Sequence, residues 1–263
     1  MLGPVPKRPL ESGRQQQPDN YMPRLHINID HIATVRQARR EAFPDPTQWA
    51  LRAEAAGALG ITCHLRVDRR HIQDADVFAL REAIGTRLNL ELSLAPEIVE
   101  IALASRADAF CLVPENRAEV TTEGGLNVIA EAKRLASTVP ALTAAGGDVS
   151  LFIDPKADQV RASADAGAMF VELHTGRYAL TTGAEREEEL ARLHSAASLA
   201  QDLGLRVNAG HGLDYDNVQP VALLAGLEEL NIGFAIVTDS LFNGVDLAVG
   251  RMADLIRAAE TAS

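Results

Sequence analysis

Histidine, glutamate and aspartate recur at the ends of short apolar runs along this chain, and those residue types in that position suit repeated proton transfer. Asn28, Asp30 and His31 close the run LHINID. His64 and Arg66 close GITCHL, Glu91 falls within LNLELS, and Glu115 follows AFCLVP. Asp154 follows DVSLFI, Glu172 and His174 lie in MFVELH, and His211 ends RVNAGH. Taken singly, such a histidine serves as readily for a structural hydrogen bond as for catalysis; what favours chemistry is convergence. A cluster of His, Asp and Glu also suits a metal, yet there is no HxH, HExxH or helical i, i+4 histidine pair, and arginines would share the site with the cation. A metal-free acid/base site is the preferred expectation. His26, at a strand start, and His194, within a helical stretch, read as structural.

Two late glycine-rich turns, NAGHG (208–212) and NIG (231–233), offer backbone N–H groups to a phosphate or serve merely as tight turns. Arg39, Arg66 and Arg69 are candidate partners for a second anion, since a guanidinium fork binds phosphate bidentately. The loop VPENRAEVTTEGG (113–125) is long for a strand-to-helix connection and reads as a lid or as a solvated surface loop.

These groups need elements to position them. From Leu25 onward, eight short runs rich in Val, Ile and Leu alternate with longer stretches of helical period: 25–30, 60–65, 88–93, 109–114, 148–153, 169–174, 206–211 and 229–237. This is the α/β pattern of a parallel sheet. Several helical stretches open with Asp-Pro or Ala-Pro and stop at glycine, with Gly57, Gly60, Gly167 and Gly204 just before strands. An open doubly wound sheet would place a glycine-rich phosphate loop after its first strand, but here that strand ends Asn-Ile-Asp-His. A closed (β/α)8 barrel is therefore expected, and it would bring every strand end to one face.

Composition agrees. The 263 residues suffice for one large domain, with 47% hydrophobic and 23% charged residues, and no apolar run is long enough to cross a membrane. A net charge of −11 argues against nucleic-acid binding but not against small anions met by a few arginines in a cleft. Cys63 and Cys111 sit in apolar runs and read as buried thiols of a cytoplasmic protein. Residues 1–24, rich in Pro, Gln and Arg, read as a disordered extension without a secretory signal, with Met22 an alternative start; residues 25–263 form the catalytic domain.

The segments NIDHIATVRQAR, HLRVDRRHI, NLELS, LVPENRAEVTTEGG, SLFID, ELHTGRYA, NAGHGL and ELNIG, in this order from about Leu25 to the C-terminus, resemble the pyridoxine 5'-phosphate synthase family. The resemblance implies a TIM barrel with additional helices, assembled as a homo-octamer and free of metal and organic cofactor. The activity it implies condenses 3-amino-2-oxopropyl phosphate with 1-deoxy-D-xylulose 5-phosphate to give pyridoxine 5'-phosphate, inorganic phosphate and water. Residue by residue, it makes His64 and Glu91 general bases, His211 the general acid and Glu172 a transition-state stabiliser. Asn28, Arg39, Gly212, Gly233 and Phe234 would meet the amino ketone phosphate, and Asp30, His31, Arg66, His71 and Thr121 the deoxyxylulose phosphate. Three departures stand out: Phe234 where the family usually has His, Thr238 for a usual Gly, and Val67 for a usual Glu. The rivals are another phosphosugar enzyme on the same barrel and a non-catalytic binding protein. A Schiff-base aldolase is disfavoured because Lys7, Lys133 and Lys156 all lie away from strand ends.

Overall fold

A computed structural model describes residues 22–115 and 124–261. Eight parallel strands close into a barrel in sequence order, β1 pairing with β8. They are β1 (Arg24–Asn28), β2 (Gly60–Leu65), β3 (Arg87–Leu92), β4 (Ala109–Leu112), β5 (Asp148–Ile153), β6 (Phe170–His174), β7 (Arg206–Gly210) and β8 (Leu227–Ile232). The major helices between them are α1 (Asp30–Gln37), α2 (Pro46–Ala55), α3 (Asp74–Ala83), α4 (Pro96–Ser105), α5 (Val128–Ala144) and α6 (Ala157–Asp165). They are followed by α7 (Gly176–Leu180), α8 (Gly183–Asp202), α9 (Val218–Ala222), α10 (Phe234–Asn243) and α11 (Val245–Thr261). Among the described residues two helices follow each of β1, β6 and β8, so three of the eleven are additions to the plain eightfold repeat.

Period-two alternation sorts the strand residues. In β2 every residue is buried, but Ile61, Cys63 and Leu65 join the apolar shell beneath the helices while Thr62 and His64 make their contacts within the barrel. Leu88, Leu90 and Leu92 of β3 do the same against Asn89 and Glu91. Truncating one of these fully buried leucines to Ala is worth about 2–5 kcal/mol. The barrel interior departs from the usual filling of branched aliphatics, for its lower half is ionic. Glu229 lies 2.7 Å from Arg24, 3.6 Å from His26 and 3.7 Å from Arg87, all three reaching it from β1 and β3. Arg206 binds Glu228 beside them.

Helix ends follow the expected chemistry in most places. Asp45 caps α2 by accepting the N–H of Thr47, with Pro46 at the first helical position. Gly57, Gly167 and Gly204 take positive φ after their helices. Gly60 serves differently: it begins β2, and a Cβ there would lie 2.3 Å from the His26 ring, so it makes room for that buried imidazole. Two boundaries correct the sequence reading. Asp30 and His31 start α1 rather than finish β1, and the last strand stops at Ile232, with Phe234 beginning α10. Apolar FAIV is indistinguishable from a strand by composition alone; Gly233 breaks the ladder and turns the chain into a helix.

Residues 1–21 of the expected extension and most of the 113–125 loop lie outside the described residues. Thr121 is among them.

Candidate active site

The C-terminal strand ends surround a cavity of about 750 Å3. Its lining includes Asn28, Asp30 and His31 from the β1 end, His64 and Arg66 from β2, Glu91 from β3, Glu172 from β6, His211 and Gly212 from β7, and Gly233 and Phe234 from β8. His71 of the loop after β2 also lines it, so thirteen of the fourteen residues expected at the site were placeable, and all but Arg39 reach the cavity.

Asp30 is the joint of the first two strands. Its Oδ1 accepts the His64 backbone N–H at 2.8 Å, its Oδ2 accepts the Asn28 side-chain amide at 3.0 Å, and its own N–H donates to Asn28 Oδ1 at 2.9 Å. His64 and Glu91 are register partners of β2 and β3, which forces their side chains to the same side of the sheet and brings Nδ1 to 3.9 Å from Oε2. His64 Nε2 is buried without a protein partner. His71 stands 3.9 Å from Asp30 and 6.0 Å, ring to ring, from His64.

Across the cavity His211 adopts φ of +86°, an uncommon conformation for a residue with a side chain. Thr175 holds the turn by hydrogen bonds to the carbonyls of Gly210 (2.7 Å) and His211 (2.6 Å). The His211 ring packs edge-on against His174 at 5.1 Å, and His174 in turn faces Asp154 at 3.4 Å. Gly176 is required beneath them, since a Cβ there would fall 2.5 Å from His174 and 3.1 Å from His211. Gly210 lies equally close to Glu172, whose Oε1 would be 2.7 Å from an added Cβ.

Burial governs the protonation of this ring. His64 and His211 are pushed down to about 4, chiefly by desolvation, and His31 is lowered for the same reason. Glu91 is raised well above the carboxylate range by burial and then by the charges of Asp30 and Glu172. Glu172 is raised to about 7 by burial, against the pull of its hydrogen bonds from Asn231 and Cys111. Burial thereby weakens the His64 imidazole as a proton acceptor and strengthens the Glu91 carboxylate beside it, which suits passing a proton from the one to the other. The lowered values leave His31, His64 and His211 uncharged at neutral pH, so a phosphate dianion beside them would draw protons onto them.

The sequence reading misses several residues. Arg39 follows α1, its side chain is 80% exposed, and it lies 3.7 Å from Glu41, away from this chain's cavity. Arg69 also turns aside, donating to Asp74 and to the carbonyls of Arg66 and Val67, while neighbouring Arg70 lines the cavity. Nothing in the run Asp-Arg-Arg-His distinguishes the two. Thr34, Val113, Phe152 and Asn231 are the other additions; of these Asn231, inside the glycine turn, and Val113, at the start of the 113–125 loop, carried a sequence signal. Glu115 acts from behind, accepting the Val67 N–H at 2.9 Å and lying 3.8 Å from Arg66.

Asp30, His64 and Glu91 bring potential ligand atoms within 4.8 Å of one another and could hold a divalent cation. Both oxygens of Asp30 already accept hydrogen bonds, and Arg66 and Arg70 share the cavity, features that suit anionic substrates better.

Residues 25–258 match the family described as pyridoxal phosphate biosynthesis protein PdxJ. The pyridoxine 5'-phosphate synthase of Synechococcus sp. (strain CC9605) is 54% identical over 236 residues, 90% of this chain and 95% of its own. That of Acaryochloris marina (strain MBIC 11017) is 55% identical over 236 residues, covering 89% and 98%. Among solved structures, phosphoribosyl anthranilate isomerase from Thermus thermophilus superposes with a TM-score of 0.56 at 17% identity, covering 89% of this chain and 98% of that one. A 4-hydroxy-2-oxoglutarate aldolase gives 0.61 at 16%, covering 89% and 95%. At those identities the likeness speaks for the barrel alone.

Proposed function

The chain belongs to the pyridoxal phosphate biosynthesis protein PdxJ family, and from that premise we propose that it makes pyridoxine 5'-phosphate by condensing 3-amino-2-oxopropyl phosphate with 1-deoxy-D-xylulose 5-phosphate. Its site is suited to the work. Imine formation, phosphate loss, water addition and ring closure each move protons, which calls for more than one acid/base group around a cavity that controls water.

The observation that carries the assignment is the His64–Glu91 pair, at 3.9 Å, facing the same cavity as His211 and Glu172. His64, uncharged at neutral pH, is the first base; Glu91 beside it takes up and returns the proton. His211 becomes the acid once a bound phosphate raises its proton affinity. Glu172 stabilises charge that develops between them. The amino ketone phosphate is met by Asn28, Gly212, Gly233 and the N-terminus of α10, where the N–H groups from Phe234 onward start the helix. The deoxyxylulose phosphate is met by Asp30, His31, Arg66 and His71; Thr121 for this substrate and Arg39 for the amino ketone phosphate are carried from the resemblance alone. The reaction runs without metal or organic cofactor.

The protein works in the cytoplasm as a homo-octamer. Large apolar side chains left uncovered on one chain support assembly: Phe242 and Leu180 are each 88% exposed and Phe43 is 76% exposed. No helix among the described residues is long and apolar enough to cross a membrane. Incubating the purified protein with both substrates and following pyridoxine 5'-phosphate tests the activity. Formation that persists after exhaustive chelation and collapses in Glu91→Gln is expected; loss on chelation with recovery on adding one divalent ion would overturn the metal-free reading. Light scattering after gel filtration reads the octamer.

A further inference from the structure

Four buried side chains on the even-numbered strands meet one another inside the barrel: Thr62 of β2, Cys111 of β4, Glu172 of β6 and Asn231 of β8. Alternate strands supplying one layer is how barrels of this type fill their centre, usually with aliphatic residues. Here the layer is polar and directional. Asn89 Nδ2 donates to Thr62 Oγ1 at 3.3 Å, Thr62 Oγ1 donates to Asn231 Oδ1 at 2.8 Å, and Asn231 Nδ2 donates to Glu172 Oε2 at 2.6 Å. Cys111 Sγ approaches that same oxygen at 3.6 Å.

A hydroxyl has one proton. With the Asn89 amide donating into Thr62, that proton goes to Asn231, which must then offer its carbonyl to Thr62 and its NH2 to Glu172. Oε2 is left as an acceptor of two donors, so it is Oε1, beside Gly210, that is free to gain or lose a proton. We propose that Asn89, Thr62 and Asn231 form a one-way hydrogen-bond chain that determines which oxygen of Glu172 carries its exchangeable proton, making Thr62 and Asn231 positioning residues for the condensation. The other groups facing Glu172 do not substitute for it: Glu91 from β3 and Glu229 from β8 bring like charge, Cys111 from β4 only a weak donor, and Phe152 and Asn208, its register neighbours on β5 and β7, no charge. The inference rests on Glu172 acting at the reacting centre.

The test uses Thr62→Val, which keeps the shape and removes the hydroxyl, and Thr62→Ser, which keeps the hydroxyl. In Thr62→Val the Asn231 amide is free to turn and present Oδ1 to Glu172, favouring its protonated form. The carboxyl stretch that disappears in Glu172→Gln, followed by difference infrared spectroscopy, should titrate about one pH unit higher than in the parent. The corresponding limb of the kcat profile should move with it, kcat should fall more than KM rises, and Thr62→Ser should restore all three. An unmoved infrared midpoint in Thr62→Val, or Thr62→Ser behaving like Thr62→Val, overturns the proposal. Should Thr62→Val not fold, Asn89→Leu must raise the midpoint in the same direction, and an unmoved value there also overturns it. Undiminished kcat in Glu172→Gln would instead refute the role of Glu172, while the infrared midpoint still reads the chain itself.

Discussion

Replacing Phe234 by His should lower the KM for 3-amino-2-oxopropyl phosphate about fivefold and leave that for 1-deoxy-D-xylulose 5-phosphate unchanged. Phe234 is the first residue of α10, 63% exposed at the cavity rim, with its ring edge-on to His31 at 5.1 Å. It lies beside the backbone N–H groups that are proposed to receive a phosphate, and its own side chain offers no donor. An imidazole there adds one donor. A hydrogen bond to a charged group is worth about 1.5–3 kcal/mol, but solvent at so exposed a rim reduces that to about 1 kcal/mol, which is about fivefold. The gain should grow as pH falls and the new imidazole becomes charged, tempered by the helix N-terminus, which disfavours the cation. Steady-state kinetics with the second substrate saturating, at several pH values, reads the effect. An unchanged KM, or an equal fall for both substrates, would refute the placement of the amino ketone phosphate at this helix.

Three further outcomes follow from the same geometry. His211→Asn should lower kcat about 10²–10⁴-fold with little change in either KM; wild-type turnover would remove His211 from the acid role. Gly210→Ala should cost about 1–3 kcal/mol in thermal unfolding and depress kcat, because its Cβ would lie 2.7 Å from Glu172 Oε1 and 2.9 Å from the Asn231 carbonyl; a fully stable, active variant would show that Glu172 is not held as described. His64 and His211, with values lowered from 6.5 to about 4, bind fewer protons folded than unfolded between those limits. They therefore contribute stability that is complete above about pH 6.5 and lost as pH falls toward 4. Glu172, raised from 4.5 to about 7, acts the other way, its contribution complete at low pH and lost as pH rises through 7. On going from pH 7 to pH 5, the Tm of His211→Asn should fall less than that of the parent; an equal fall would contradict a neutral buried His211.

How much of this was legible beforehand can be judged residue by residue. Seven of the strand runs, from LHINID to RVNAGH, locate β1 to β7 within one or two residues, because apolar periodicity and the glycine stops are local signals. FAIV misled, since a short apolar run carries no period and only Gly233 at the barrel rim decides that a helix begins. Most residues that line the cavity were legible by type and by their position at strand ends, and the roles given to them are those the resemblance implies.

What the sequence alone determined was the eightfold alternation, the convergence of His, Glu and Asp on one rim, and the family. Only the tertiary structure decided which side chains meet. Register put His64 opposite Glu91 and joined Thr62 to Glu172 through Asn231, while the folding of the loop after β2 turned Arg70 inward and Arg69 away and the turn after α1 left Arg39 outside the cavity. Those facts depend on contacts between residues up to 169 positions apart, set by barrel closure, and no local pattern in the chain encodes them.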